Sequence, residues 1–192
     1  MRFEIDIDYA PEKMEANRRR MEDYADLRIS DRVPVGFCIV PRFFAPIFGM
    51  QYHDLFSNVD DHYYFQLKFL KYRIENIHED MICQGPVLTI GPYFDNVLDS
   101  DAFGAETVWP ENETLHAMPT INAIDGMSAM EMPEINSGLW GKYVDWWLKI
   151  KELIASTKLT FNGREGRIEL SRLGIGGLSP HMIAVDLVGI DF

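Results

Sequence analysis

The 192-residue sequence predicts one α/β domain with parallel strand pairing. Two observations carry this. Short runs rich in valine and isoleucine alternate with longer stretches of helical periodicity, and no repeat, low-complexity tract or linker divides the chain. At 47% hydrophobic, a chain of this length removes roughly 70% of its unfolded surface from water, enough for a real core.

The elements follow in order. "APEKMEANRRRMEDYADLRIS" reads as an outer helix with Pro11 at its first position and few apolar residues. "RVPVGFCIV", Arg32 to Val40, reads as a strand buried on both faces, ended by Pro41. After the loop "PRFFAPIFGM", the stretch from Ser57 opens with a capping-box spacing to Asp60. It continues with Leu67, Leu70, Ile74 and Ile77 on one helical face. "MICQGPVLTIG" is a second buried strand, followed by a short strand "AETVW" and an irregular region from Pro110 to about Pro133.

"GLWGKYVDWWLKIKELIAS" is a helix whose apolar face pairs Leu139/Trp140, Tyr143/Val144, Trp147/Leu148 and Ile150/Ile154. Its tryptophans read as core packing rather than a cofactor box. The tail holds strand pieces around an Asn-Gly turn in "KLTFNGREGRIEL", a turn at "GIGG", and a short helix capped by Ser179 with Pro180 at its first position.

The formal charge is -12, and no Lys or Arg lies between Arg73 and Lys142, where twelve acids fall. A surface for nucleic acid needs clustered cations, so such partners are excluded. No apolar run approaches the ~20 residues that span a bilayer, and the N-terminus lacks a secretory signal's apolar stretch, so the expected location is the cytoplasm, away from membranes. The two cysteines, Cys38 and Cys83, sit in apolar runs and are expected to be buried thiols. The five histidines form no HExxH or HxH, which predicts no metal site within the chain.

One stretch has the makings of a site: "GPYFDNVLDSDAFGAETVWPENE", just past the second strand. Ligands of parallel α/β folds gather at the carboxyl ends of strands. Asp95 stands at such an end, with Tyr93 and Phe94 as apolar walls, and either exchanges protons with a ligand or merely caps a turn. Arg42, the one cation of its apolar loop, either binds a ligand carboxylate at the same sheet end or is simply solvated. Asp99 and Asp101 read as solvated or capping acids.

"DRVPVGF", "DAFGAETVWPENE" and the order of elements between them resemble the uroporphyrinogen decarboxylase superfamily. That family's pattern has an aspartate nine residues before the glycine of its A-[LF]-G-x-E segment; here the glycine is Gly104 and the aspartate is Asp95. The resemblance implies that Asp95 is catalytic and that Arg42, Tyr93 and Phe94 bind substrate. It also implies a (β/α)8 barrel, which takes about 250 residues. This chain would then be the N-terminal half or so, one domain over 1–192 with a helical extension over about 1–31.

The paired-arginine motif of the decarboxylases is replaced by "CIVPRFFAP", and "FGAETVWPE" is similar to the methyltransferase-type relatives. The implied activity is methyl transfer from a small methylated substrate, with cobalamin carried by a corrinoid partner protein and zinc held by a C-terminal half. An open half-barrel also implies a second copy or a barrel-completing chain. A cofactor-independent decarboxylase and a non-catalytic half-barrel that binds a partner stay open as alternatives.

Overall fold

The structure, a computed structural model, describes residues 3–121, 126, 131–134, 136–174 and 178–189. Helix α1 (Pro11–Ala25) follows strand β1 (Glu4–Ile7) and has Pro11 at its start, where a missing N–H costs nothing. Only Met14 and Asn17 of α1 are buried, as its sparse apolar pattern requires.

Three 3-10 turns (Pro41–Phe44, Pro46–Phe48 and His53–Phe56) lead to helix α2 (Val59–Asn76). Its cap is Asn58, whose side chain accepts from the Asp60 N–H at 2.8 Å, and not the expected Ser57. The reason is local: Ser57 has helical backbone angles and closes the preceding turn, while Asn58 is extended as a cap must be.

Strand β2 (Val87–Ile90), the short helix α3 (Leu98–Ala102), strand β3 (Glu106–Val108) and strand β4 (His116–Met118) come next. β4 lies in the region expected to be irregular, of which 122–125 and 127–130 fall outside the described residues. Helix α4 (Gly138–Ala155) precedes β5 (Lys158–Phe161), β6 (Arg164–Glu165), β7 (Arg167–Leu170) and helix α5 (Pro180–Val188). Ser179 caps α5 by accepting from the Met182 N–H. Of the "GIGG" turn only Gly174 is described.

β1 runs parallel to β5, with Ile5 opposite Leu159, and β5 turns back into β6 through Asn162 and Gly163. Both turn residues have positive φ, 49° and 73°, the requirement of a type I′ hairpin. β2 runs parallel to β7, and β3 pairs antiparallel with β4. These small sheets do not form a closed barrel among the described residues, and the barrel expectation rests on the resemblance alone.

Two hydrophobic clusters flank the long helices. One joins β1, β2 and β5 to α1, α2 and α4 through Ile7, Met14, Tyr63, Leu67, Leu88, Ile150 and Leu159. The other is aromatic and joins the 3-10 turns, α2, the loop after β2 and α4 through Phe44, Tyr52, Phe65, Phe94, Tyr143 and Trp146. On α4 the buried stripe is Leu139, Tyr143, Trp146, Ile150 and Leu153, so Trp146 faces inward where Trp147 was expected. Trp147 instead donates its indole N–H to the Ser171 carbonyl.

Residues 32–40, expected as a strand buried on both faces, join no ladder, and Val33, Val35, Phe37 and Val40 are exposed. Side chains and one backbone bond, from the Asp80 N–H to the Val35 carbonyl at 2.7 Å, hold this strap in place of a neighbouring strand. Asp80 Oδ2 accepts the Val35 N–H, Glu79 Oε2 accepts the Phe37 N–H, and the Arg73 guanidinium donates to the Phe37 carbonyl. Asp80 is 0% exposed and also takes hydrogen bonds from Arg20 and, at two points, from Arg32. Burial alone would push its carboxyl up; these donors outweigh that and hold it below the ordinary carboxylate value.

The cysteines divide. Cys83 is buried as expected, with burial pushing its thiol up to about 11, whereas Cys38 lies exposed on the strap. No helix among the described residues is long and apolar enough to cross a membrane.

Candidate functional site

The loop after β2 begins at Gly91, where any side chain would collide with Ser171, so glycine is needed for the close approach to β7. Four residues on, Asp95 adopts a left-handed conformation (φ 48°), which Asp tolerates better than most residues. That turn aims both carboxylate oxygens inward. Oδ1 accepts from the Tyr52 hydroxyl at 2.9 Å, and Oδ2 accepts from the Leu115 N–H at 2.8 Å.

Tyr93 converges on the same carboxylate. Burial first, then the Asp95 charge, then a hydrogen bond to it raise the phenol pKa of both Tyr52 and Tyr93. Both therefore stay protonated at neutral pH. Arg42 is half-buried in the Pro41–Phe44 turn, and its charge reaches the Tyr52 hydroxyl with the opposite, lesser effect.

Beside this cluster lies a cavity of about 160 Å³, lined by Pro41, Tyr52, Leu55, Phe56, His62, Phe65, Gln66, Phe69 and Tyr93. One face of α2 provides His62, Phe65, Gln66 and Phe69, at the i, i+3, i+4, i+7 spacing of a helical stripe. His62 is wholly enclosed. Its Nδ1 pairs with the Leu55 carbonyl at 3.1 Å and its Nε2 accepts the Tyr93 N–H at 3.2 Å, which fixes the proton on Nδ1. Burial pushes its pKa down to about 4, and the Lys142 charge adds to that, against the hydrogen bond to Leu55.

Three of the sequence-predicted residues thus gather: Asp95, Tyr93 and Arg42 all act on one carboxylate–phenol cluster. Phe94 does not join them. It is 1% exposed and packs against Trp146, Phe56 and His62, backing the cavity wall rather than lining it. Behind it, the Lys142 ammonium sits 5.1–5.6 Å from the centroids of Phe94, Trp109 and Trp146 and donates to the Phe56 carbonyl. Burial lowers its pKa.

Sequence reasoning missed Tyr52 and His62. Nothing in spacing could have found Tyr52, which meets Asp95 across 43 residues. His62 carried a signal, the aromatic stripe it opens on α2.

The two neighbouring acids do structural work. Asp101 accepts from Thr107 and, at 3.0 Å, from the Leu139 N–H at the start of α4, and Asp99 accepts from the Leu178 N–H. Gly138 has φ 53°, and a side chain there would press on Asp101.

No protein-family model matches the chain, and comparisons with curated proteins and with solved structures give no match either. The resemblance to the uroporphyrinogen decarboxylase superfamily is therefore carried by the motif residues themselves.

Proposed function

We propose that the chain forms the substrate-binding part of a methyltransferase-type enzyme of the uroporphyrinogen decarboxylase superfamily, handing a methyl group from a small methylated substrate to a corrinoid protein. One observation carries this: a backbone N–H and two tyrosines converge on Asp95, beside an aromatic cavity at the carboxyl end of a parallel strand. The size of the cavity favours a small substrate over a carboxylate-rich tetrapyrrole, and none of its lining residues is Lys or Arg.

A docked corrinoid in its Co(I) form would supply the electron pair for the new bond to the methyl group, while the donor's bond to oxygen, sulfur or nitrogen breaks and that heteroatom leaves with its own pair, taking a proton from solvent to give an alcohol, thiol or amine. The residues of this chain do the rest. Pro41, Phe65 and Phe69 give the cavity an apolar wall, while Asp95 holds the Tyr52 hydroxyl hydrogen and so fixes which way the phenol oxygen's lone pairs face. His62 holds the Tyr93 backbone, and hence the wall that Tyr93 forms.

Among the described residues no group of three His, Cys, Asp or Glu side chains stands close enough to hold a metal ion. The test is transfer itself. Cob(I)alamin is mixed with the protein and a panel of methylated ethers, thioethers and amines, and its characteristic absorbance is followed. Loss of that signal with one donor, abolished by Asp95→Asn, supports methyl transfer; no loss with any donor counts against it.

A partner-binding role is favoured by a separate observation, the exposed apolar run Leu27, Ile29, Val33, Val35, Phe37, Val40, Phe43 and Ile47. A second copy or a barrel-completing chain would cover it. Sedimentation tests this: a monomer at every concentration, with no complex formed, removes the idea.

A further inference from the structure

We propose that the cavity bordered by Tyr52 and Tyr93 binds one single-ring phenol; this deepens the function proposed above and rests on the same site being a ligand site. Size is the first ground. The volume of about 160 Å³ is close to the ~150 Å³ of an engineered apolar cavity that takes up benzene. One ring with a short substituent fills such a space.

The walls are the second ground. Tyr52, Phe56, His62, Phe65, Phe69 and Tyr93 are six rings around one volume, and rings pack well edge-to-face or offset against another ring.

The third ground is the sign of the polar atoms. The Tyr52 hydroxyl hydrogen is spent on Asp95, and one of the two Gln66 amide hydrogens is spent on the Gly91 carbonyl at 2.8 Å. Both His62 nitrogens are occupied, by Leu55 and by the Tyr93 N–H. What remains for an occupant is chiefly acceptors, the lone pairs of the tyrosine oxygens and Gln66 Oε1, which has no partner among the described residues, with the second Gln66 amide hydrogen as a donor beside them. Arg42 lies outside the lining. A neutral hydroxyl, which both donates and accepts, is matched, whereas a carboxylate would bring a charge to a lining with no Lys or Arg.

Calorimetric titration with phenol, benzene and benzoate tests this on the intact chain. Phenol is expected to bind at one equivalent, about tenfold more tightly than benzene, as one hydrogen bond implies, with benzoate not competing. Tyr52→Phe keeps the ring and should bring phenol down to the level of benzene while leaving benzene unchanged. Gln66→Leu gives a second readout of the same kind if Tyr52→Phe fails to fold.

Benzoate binding as well as phenol, or phenol binding no better than benzene, would overturn the proposal. The two proposals also fail separately. Phenol bound without methyl transfer from any donor defeats the enzymatic reading alone, and methyl transfer that saturating phenol does not inhibit defeats the phenol site alone.

Discussion

Acid should weaken this protein through one enclosed imidazole, His62. Its unfolded value is about 6.5 and its folded value is pushed down to about 4, chiefly by burial. A folded pKa below the unfolded one means that the stability it contributes is fully present above pH 6.5 and is lost as pH falls toward 4. At about 1.4 kcal/mol per pH unit, the loss across that window is about 3 kcal/mol. The structural reason is that both ring nitrogens are committed. A proton on Nε2 would set two donors against each other at Tyr93, with no acceptor between them.

The assay is urea unfolding of the wild type and of His62→Gln at a series of pH values from 7.5 to 4.5. Gln offers an acceptor in place of Nε2 but does not titrate, so its stability curve should be flatter than the wild type by about 2–3 kcal/mol at pH 4.5. The comparison of slopes removes the carboxylates common to both proteins. Parallel curves, or a ring-proton titration near pH 6.5 in the folded state, would refute the reasoning.

Three further outcomes follow from the same geometry. Asp95→Asn retains an acceptor for the Leu115 N–H, so Tm should move by no more than a few degrees while ligand response falls at least tenfold; calorimetry with the cavity ligand checks both. Asp80→Asn leaves Arg20 and Arg32 facing a neutral amide. Because Arg32 is half exposed, the cost should lie near the lower end for broken buried pairs, about 3 kcal/mol, which is a fall of roughly 6–12 °C in Tm for a domain of this size. Proteolysis within 33–40 should quicken in the same variant. Asp101→Ala removes the donor-accepting oxygen at the start of α4 and should cost about 1 kcal/mol by thermal unfolding, with a matching loss of helical ellipticity.

Helices with local start signals were legible in the sequence. Pro11 and the Ser179–Pro180 pair mark α1 and α5 because caps act within a turn. The Asn162–Gly163 hairpin was legible for the same reason. The strap, read as a strand over 32–40, was misread because an apolar run reports only that residues avoid water, not what covers them; here carboxylates, a guanidinium and the Asp80 backbone N–H took up its backbone groups. The face of α4 was misassigned by a residue because Trp146 and Trp147 are equally apolar, and only the distant Ser171 carbonyl separates them. In the site, Asp95 and Tyr93 stood out because they follow a strand. Tyr52 did not, because its partner is brought near only by the fold.

The carboxylate of Asp101 ties the start of α4 to the segment beyond β2. The N–H of Leu139 is capped from 38 residues away, while Ser137, the residue in the cap position, directs its hydroxyl to the Glu134 carbonyl instead. A peptide spanning α4 alone would therefore fray at its first turn. In the folded chain the hydrogen bonding of that turn is complete only with the segment beyond β2 docked against it, so the start of α4 and the candidate site are coupled in stability.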